Sequence, residues 1–216
     1  MKRFLTSMAV AISLPCAVAH ATTIYDTIGV GNAYENQQGW TIGNPSNGAH
    51  YSSFAQFSPL QSGYLASAIA PIWHGGGALA PLRFEVRADE GGHPGAVLAL
   101  ATVSFGANGG LVSGAFSGDV WISAQRAYWF GLAATDPTTL VGWYQNPGQV
   151  KGLNASTGAL WQQPNEWFVQ TWTLGAFQLD ARVAAAVPEP ASALMLSMGL
   201  SLVVLGAARR KRAALS

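Results

Sequence analysis

Between Thr22 and Ala186 no apolar pattern of helical spacing outlasts two turns, and short apolar runs are instead cut by Gly, Pro, Asn and Asp. A segment of that kind has little choice but strands and turns. Candidate strands lie at 52–58, 63–73, 82–88, 96–105, 110–118, 127–134, 140–145 and 168–183, the last long enough for two. In "LRFEVRA" the alternation is clean: Leu82, Phe84 and Val86 point to one side, Arg83, Glu85 and Arg87 to the other. One face is therefore expected to be wet, which belongs to antiparallel sheets. Seven to nine such strands predict an all-β fold, an antiparallel β-sandwich of jelly-roll-like form, over 22–186.

Composition narrows the partners. Charged residues make up only 10% of the 216, and the formal charge of +1 is misleading because six of the eleven basic residues lie near the ends. From Thr22 to Val187 there are five basic and nine acidic residues, a balance of −4. No basic stripe remains to neutralise a phosphate backbone, so nucleic acid is not an expected partner. The single cysteine, Cys16, lies in the N-terminal apolar segment, which leaves the central region without disulfides or thiolate metal sites.

The ends read as addresses. Residues 1–21 have a basic start (Lys2, Arg3), an apolar run to Leu14, Pro15, and small residues Ala19 and Ala21 around His20. That is the layout of a secretory signal peptide cleaved after Ala21, which makes the Sec translocon and signal peptidase expected partners. Pro15 and Leu14 fit poorly around a lipidated Cys16. At the other end, 191–208 carry no charge and as a helix would reach roughly 27 Å at 1.5 Å per residue, slightly short of a ~30 Å hydrocarbon core. Arg209, Arg210, Lys211 and Arg212 follow, and the positive-inside rule keeps them cytoplasmic, with the preceding chain exported. Pro188 and Pro190 fix their own φ and push Val187 and Glu189 toward extended geometry, a strut no helix can invade.

Val187-Pro188-Glu189-Pro190, the apolar helix and the terminal basic cluster together resemble the PEP-CTERM sorting signal over 187–216. The resemblance implies a Gram-negative bacterium that makes extracellular polysaccharide, and processing by exosortase, a membrane cysteine transpeptidase. "ADEGGHPGAVLAL" and "AYWFGLAA", within 54–143, resemble the choice-of-anchor domains, type R in particular, which implies an all-β domain with no assigned activity.

Candidate chemistry is sparse. "WHGGGAL" (73–79) is similar to an oxyanion-hole segment of lipases, yet no G-x-S-x-G accompanies it, and it reads as a turn after a strand ending at Trp73. His50, His74 and His93 show no metal-ligand spacing, so no metal or cofactor is expected. Asp89, Glu90, Asp119 and Asp136 sit in loops that would suit a structural calcium, but without a D-x-D-x-D run. "WYQNPG" and "WQQPNEW" place Trp143, Tyr144, Trp161 and Trp167 beside amides and a carboxylate in expected loops, where rings pack sugar C–H faces. The competing reading is that these rings fill the core, as the strand-like settings of Trp129 and Trp172 suggest.

Two functional expectations follow. The first is a non-enzymatic surface or matrix protein, an inner-membrane precursor later delivered to the envelope and linked to the exopolysaccharide matrix. The second is a lectin-like module that binds extracellular polysaccharide through loop tryptophans.

Overall fold

The computed structural model describes residues 21–43, 50–157, 167–183 and Leu200. The expected signal peptide except its last residue, Ala21, together with the 187–190 motif, nearly all of the expected C-terminal helix, the basic cluster and Trp161, lies outside the described residues. All the strands belong to one compact unit, Ala19–Val183.

Thirteen strands occur among the described residues, paired antiparallel in two sheets. One sheet runs β1 (Ala21–Asp26), β13 (Gln178–Arg182), β4 (Gly63–Gly76), β10 (Leu140–Gln145), β2 (Glu35–Gly43). The 14-residue β4 also pairs with β7 (Gly110–Ala115) and the two-residue β8 (Trp121–Ile122). The second sheet runs β12 (Phe168–Thr173), β11 (Lys151–Thr157), β3 (Ser52–Phe57), β9 (Tyr128–Ala134), β5 (Leu82–Asp89), β6 (Pro94–Val103).

Why these segments pair face to face is visible in the core. Ile24, Leu65, Ile72, Val141 and Leu179 from the first sheet and Phe57, Leu82, Phe84, Val86, Phe130 and Leu132 from the second form one buried cluster. Aromatic rings bind the layers. Phe130 stacks on Phe177 at 4.7 Å and meets Trp143 edge-on at 5.8 Å. Tyr25 lies 5.3 Å from Phe57 and 5.0 Å from Phe177. Each such pair adds about 0.5–1.5 kcal/mol beyond the area it buries.

The strand alternation predicts most of this correctly, including the reversal after β5, where Gly91 and Gly92 take positive φ and the Glu90 amide donates to the His93 carbonyl. Four strands escape it. β1 abuts the apolar leader, β8 is two residues long, and β2 ("ENQQGWTIG") and β11 ("KGLNAST") carry too few apolar residues to alternate. Each is instead recruited by a neighbour's open edge. β4 also runs past Trp73: His74 and Gly76 still pair with β10, so the "HGGG" stretch begins as strand rather than turn.

The expectation of a wet outer face on β5 requires correction. Leu82, Phe84 and Val86 are fully buried, as the pattern demands, but Glu85 on the opposite side is only 2% exposed. A second apolar cluster explains it: Phe54, Trp129 and Ala155, with Leu153, Trp167 and Val169 against them, cover the outer face of the second sheet. β9 in consequence is buried at all seven positions.

Candidate functional site

The outer face of the second sheet carries the site, and the register assembles it. Arg83 lies opposite Ala133, which lies opposite Ser52, which lies opposite Thr157. One row along, Glu85 faces Gly131, and Gly131 faces Phe54. Arg87 faces Trp129, and Trp129 faces Gln56. Gly131 matters because a Cβ there would collide with the Phe54 ring.

Glu85 is held by two guanidiniums. Arg87 donates through Nε (2.8 Å) and approaches through Nη2 (2.7 Å), both on Oε2, while Arg83 Nη2 sits 3.2 Å from Oε1. Arg87 is further fixed by Nη1 donating to the Gly95 carbonyl at 3.1 Å and by lying over Phe54 and Trp167, 5.2 and 5.6 Å from the ring centroids. Trp167 meets Phe54 edge-on at 5.1 Å. Such a buried carboxylate is tolerable because its charge is compensated and its oxygens are bonded.

A cavity of about 250 Å³ opens among these groups, lined by Ser52, Phe54, Arg83, Glu85, Arg87, Ala133, Thr157 and Trp167. Its size is below the ~300–1,000 Å³ that encloses a drug-sized molecule, so it suits a single ring with its substituents. Beside it, Asp89 accepts from Gln56 Nε2 (2.8 Å), Trp129 Nε1 (2.7 Å) and the Gly92 amide (3.2 Å). Burial raises the Asp89 carboxyl, but these hydrogen bonds and nearby His93 outweigh it and hold the group below the usual carboxylate range.

Of the four aromatic residues picked out in the sequence, the three among the described residues are scattered. Trp143 is not on a loop but in β10, fully buried, its Nε1 donating to the Ala176 carbonyl at 2.8 Å. That corrects its candidacy as a sugar platform, since a ring with no exposed face has none to offer. Tyr144, its neighbour on the other side of the sheet, is engaged by Tyr34 at 5.1 Å and Trp73 at 4.7 Å. Trp161 lies outside the described residues. Of the three that are described, only Trp167 lines the cavity.

The core-filling reading is right for Trp129, fully buried, and wrong for Trp172, which is 54% exposed on β12 at the sheet edge. All four carboxylates weighed for calcium have protein partners: Asp89 as above, Glu90 with the Ala96 amide, Asp119 with Arg182, and Asp136 with Thr138. Among the described residues no three acidic or histidine side chains gather in a metal-sized cluster.

Sequence reasoning missed Arg83, Glu85 and Arg87 as a site, although a signal was present. Three charges of sign +, −, + at alternate positions of one strand, in a region with only five basic residues, are a concentrated ion cluster on one face.

Comparison with protein families places the C-terminal segment. Residues 186–212 match the family model described as the PEP-CTERM protein-sorting motif. The chain carries a PEP-CTERM protein-sorting motif. The match begins four residues beyond Arg182, the last residue of β13, and the β unit lies outside it. A PEP-CTERM motif supports an exosortase substrate, exported as a membrane-anchored precursor and sorted to the cell surface. No curated protein matches the chain.

Proposed function

We propose that this protein is a non-enzymatic component of the cell surface or extracellular matrix, linked to exopolysaccharide, whose β unit is the delivered cargo. The observation that carries the reading is the sorting motif at 186–212, directly after β13. β13 is hydrogen-bonded to β1 on one side and β4 on the other, so the strand that joins cargo to address is an interior one. Load applied along it must shear two ladders at once. In this reading the unit is a jelly-roll-like β-sandwich of choice-of-anchor type, the leader is removed after Ala21, and signal peptidase and exosortase act in turn. The Arg83–Glu85–Arg87 group supports a holding role, because the Glu85 carboxylate is already engaged by two guanidiniums.

Deleting Pro188–Pro190 tests the sorting step. In an exosortase-bearing host the deletion should accumulate as an uncleaved, membrane-bound precursor, while normal maturation and release would refute the assignment.

A second reading, a carbohydrate-binding module, is favoured by one observation: the partly exposed Trp167 lines a ring-sized cavity together with Ser52 and Thr157. Sugars bind by packing C–H faces on such rings and bonding their hydroxyls to polar neighbours.

A further inference from the structure

The charged groups of the cavity are unequally engaged, in a way that selects a ligand. Two guanidiniums and the Glu85 carboxylate line it, and the Asp89 carboxylate lies beside it. The two arginines are not equivalent. Arg87 is 23% exposed and uses Nε, Nη1 and Nη2 on Glu85 and Gly95. Arg83 is 48% exposed and touches Glu85 through Nη2 alone, so its Nε and Nη1 have no partner among the described residues. In the same row across the sheet the register sets Ser52, two strands away, and Thr157, three strands away, whose hydroxyl has no partner among the described residues. An incoming anion would meet donors that no described residue uses, on a guanidinium already oriented by Glu85, and such charge-assisted, fork-shaped contacts are the strong ones. The partly exposed Trp167 ring, which meets the buried Phe54 edge-on, lines the cavity too.

We propose that this cavity binds one acidic sugar residue of a polysaccharide, its carboxylate against Arg83, its hydroxyls toward Ser52 and Thr157, and its C–H face against Trp167. The inference rests on the carbohydrate-binding reading and narrows its ligand to uronate-type residues. A neutral sugar leaves the Arg83 donors unmatched, and a bare inorganic anion leaves the Trp167 ring unused. With the span from Thr22 to Val187 at −4, attraction to polyanions in general is absent, and recognition is confined to this cavity.

The test uses the full-length chain in detergent, titrated by tryptophan fluorescence with oligogalacturonate, the methyl-esterified oligomer, dextran and inorganic phosphate at fixed ionic strength. Oligogalacturonate should bind, and esterification, which keeps the ring and removes the charge, should weaken it at least tenfold. Arg83→Gln should cost at least tenfold for oligogalacturonate and little for the ester. Glu85 keeps Arg87 in that variant; if a thermal melt nonetheless shows it unfolded, Arg83→Lys decides. That variant retains the charge without the fork and should lose severalfold in affinity.

Equal binding of ester or dextran would overturn acid recognition while leaving the carbohydrate reading intact. Binding of no saccharide would remove both. Displacement by phosphate at concentrations equal to the sugar would mark a general anion site and overturn the proposal, as would unaltered affinity in the Arg83 variant used.

Discussion

Trp143→Ala separates a core role from a ligand role, and its cost follows from the packing. The indole is fully buried, meets Phe130 at 5.8 Å and Phe177 at 5.9 Å, and donates to the Ala176 carbonyl. A Cβ at Gly175 would run into its ring, so it already fills its space to contact. Truncating a buried tryptophan costs about 3–5 kcal/mol, through lost transfer energy and the cavity left behind. In a domain whose total stability is of the usual ~5–15 kcal/mol, this is a large fraction. At 2–4 °C per kcal/mol for a unit of this size, the melting temperature should fall by roughly 6–20 °C. Urea unfolding followed by tryptophan fluorescence and far-UV circular dichroism would read the same loss as a lower midpoint with unchanged slope. Trp167→Ala provides the contrast. It gives up one edge-on ring contact and one cation–π contact, about 1–2.5 kcal/mol together, and its main effect should fall on saccharide binding. A Trp143→Ala protein that lost under about 1 kcal/mol and unfolded cooperatively would refute the buried placement.

Gly142→Ala should destabilise by about 1–3 kcal/mol, because its Cβ would run into the Trp73 ring lying across β10. Trp73→Ala in the same chain should recover part of that loss, and strict additivity in a double-mutant cycle would count against the collision. Asp89 has a lowered carboxyl in the folded state, so its contribution is present above the unfolded value near 3.9 and is lost as pH falls through the lower folded one. Asp89→Asn should therefore flatten the decline of stability below about pH 4, and an unchanged acid limb in melts across that range would contradict the role given to Gln56, Trp129 and Gly92. Neutralising Arg209, Arg210, Lys211 and Arg212 should weaken inner-membrane retention or orientation; topology mapping that finds no change would remove the role assigned to the basic cluster.

Of the strands, those with an apolar residue at every second position were legible, β5 most clearly, because a pleated strand shows its period in the chain itself. β2 and β11 were not, since the hydrogen bonds that make them strands come from β10 and β3, many residues away. The cavity was half legible. Alternation put Arg83, Glu85 and Arg87 on one side, but said nothing of whether that side was covered, and the cover comes from β3, β9, β11 and the residues around Trp167.

The sequence by itself determined the address: a proline-braced motif, an uncharged stretch and a basic end act as a linear string, whose meaning needs no folded partner. Only the tertiary structure decided the fate of the tryptophans, burying Trp143 and Trp129, leaving Trp172 on an edge and setting Trp167 against a charged cavity. The physical reason is that period fixes which way a side chain points, whereas burial depends on what other strands bring to that side.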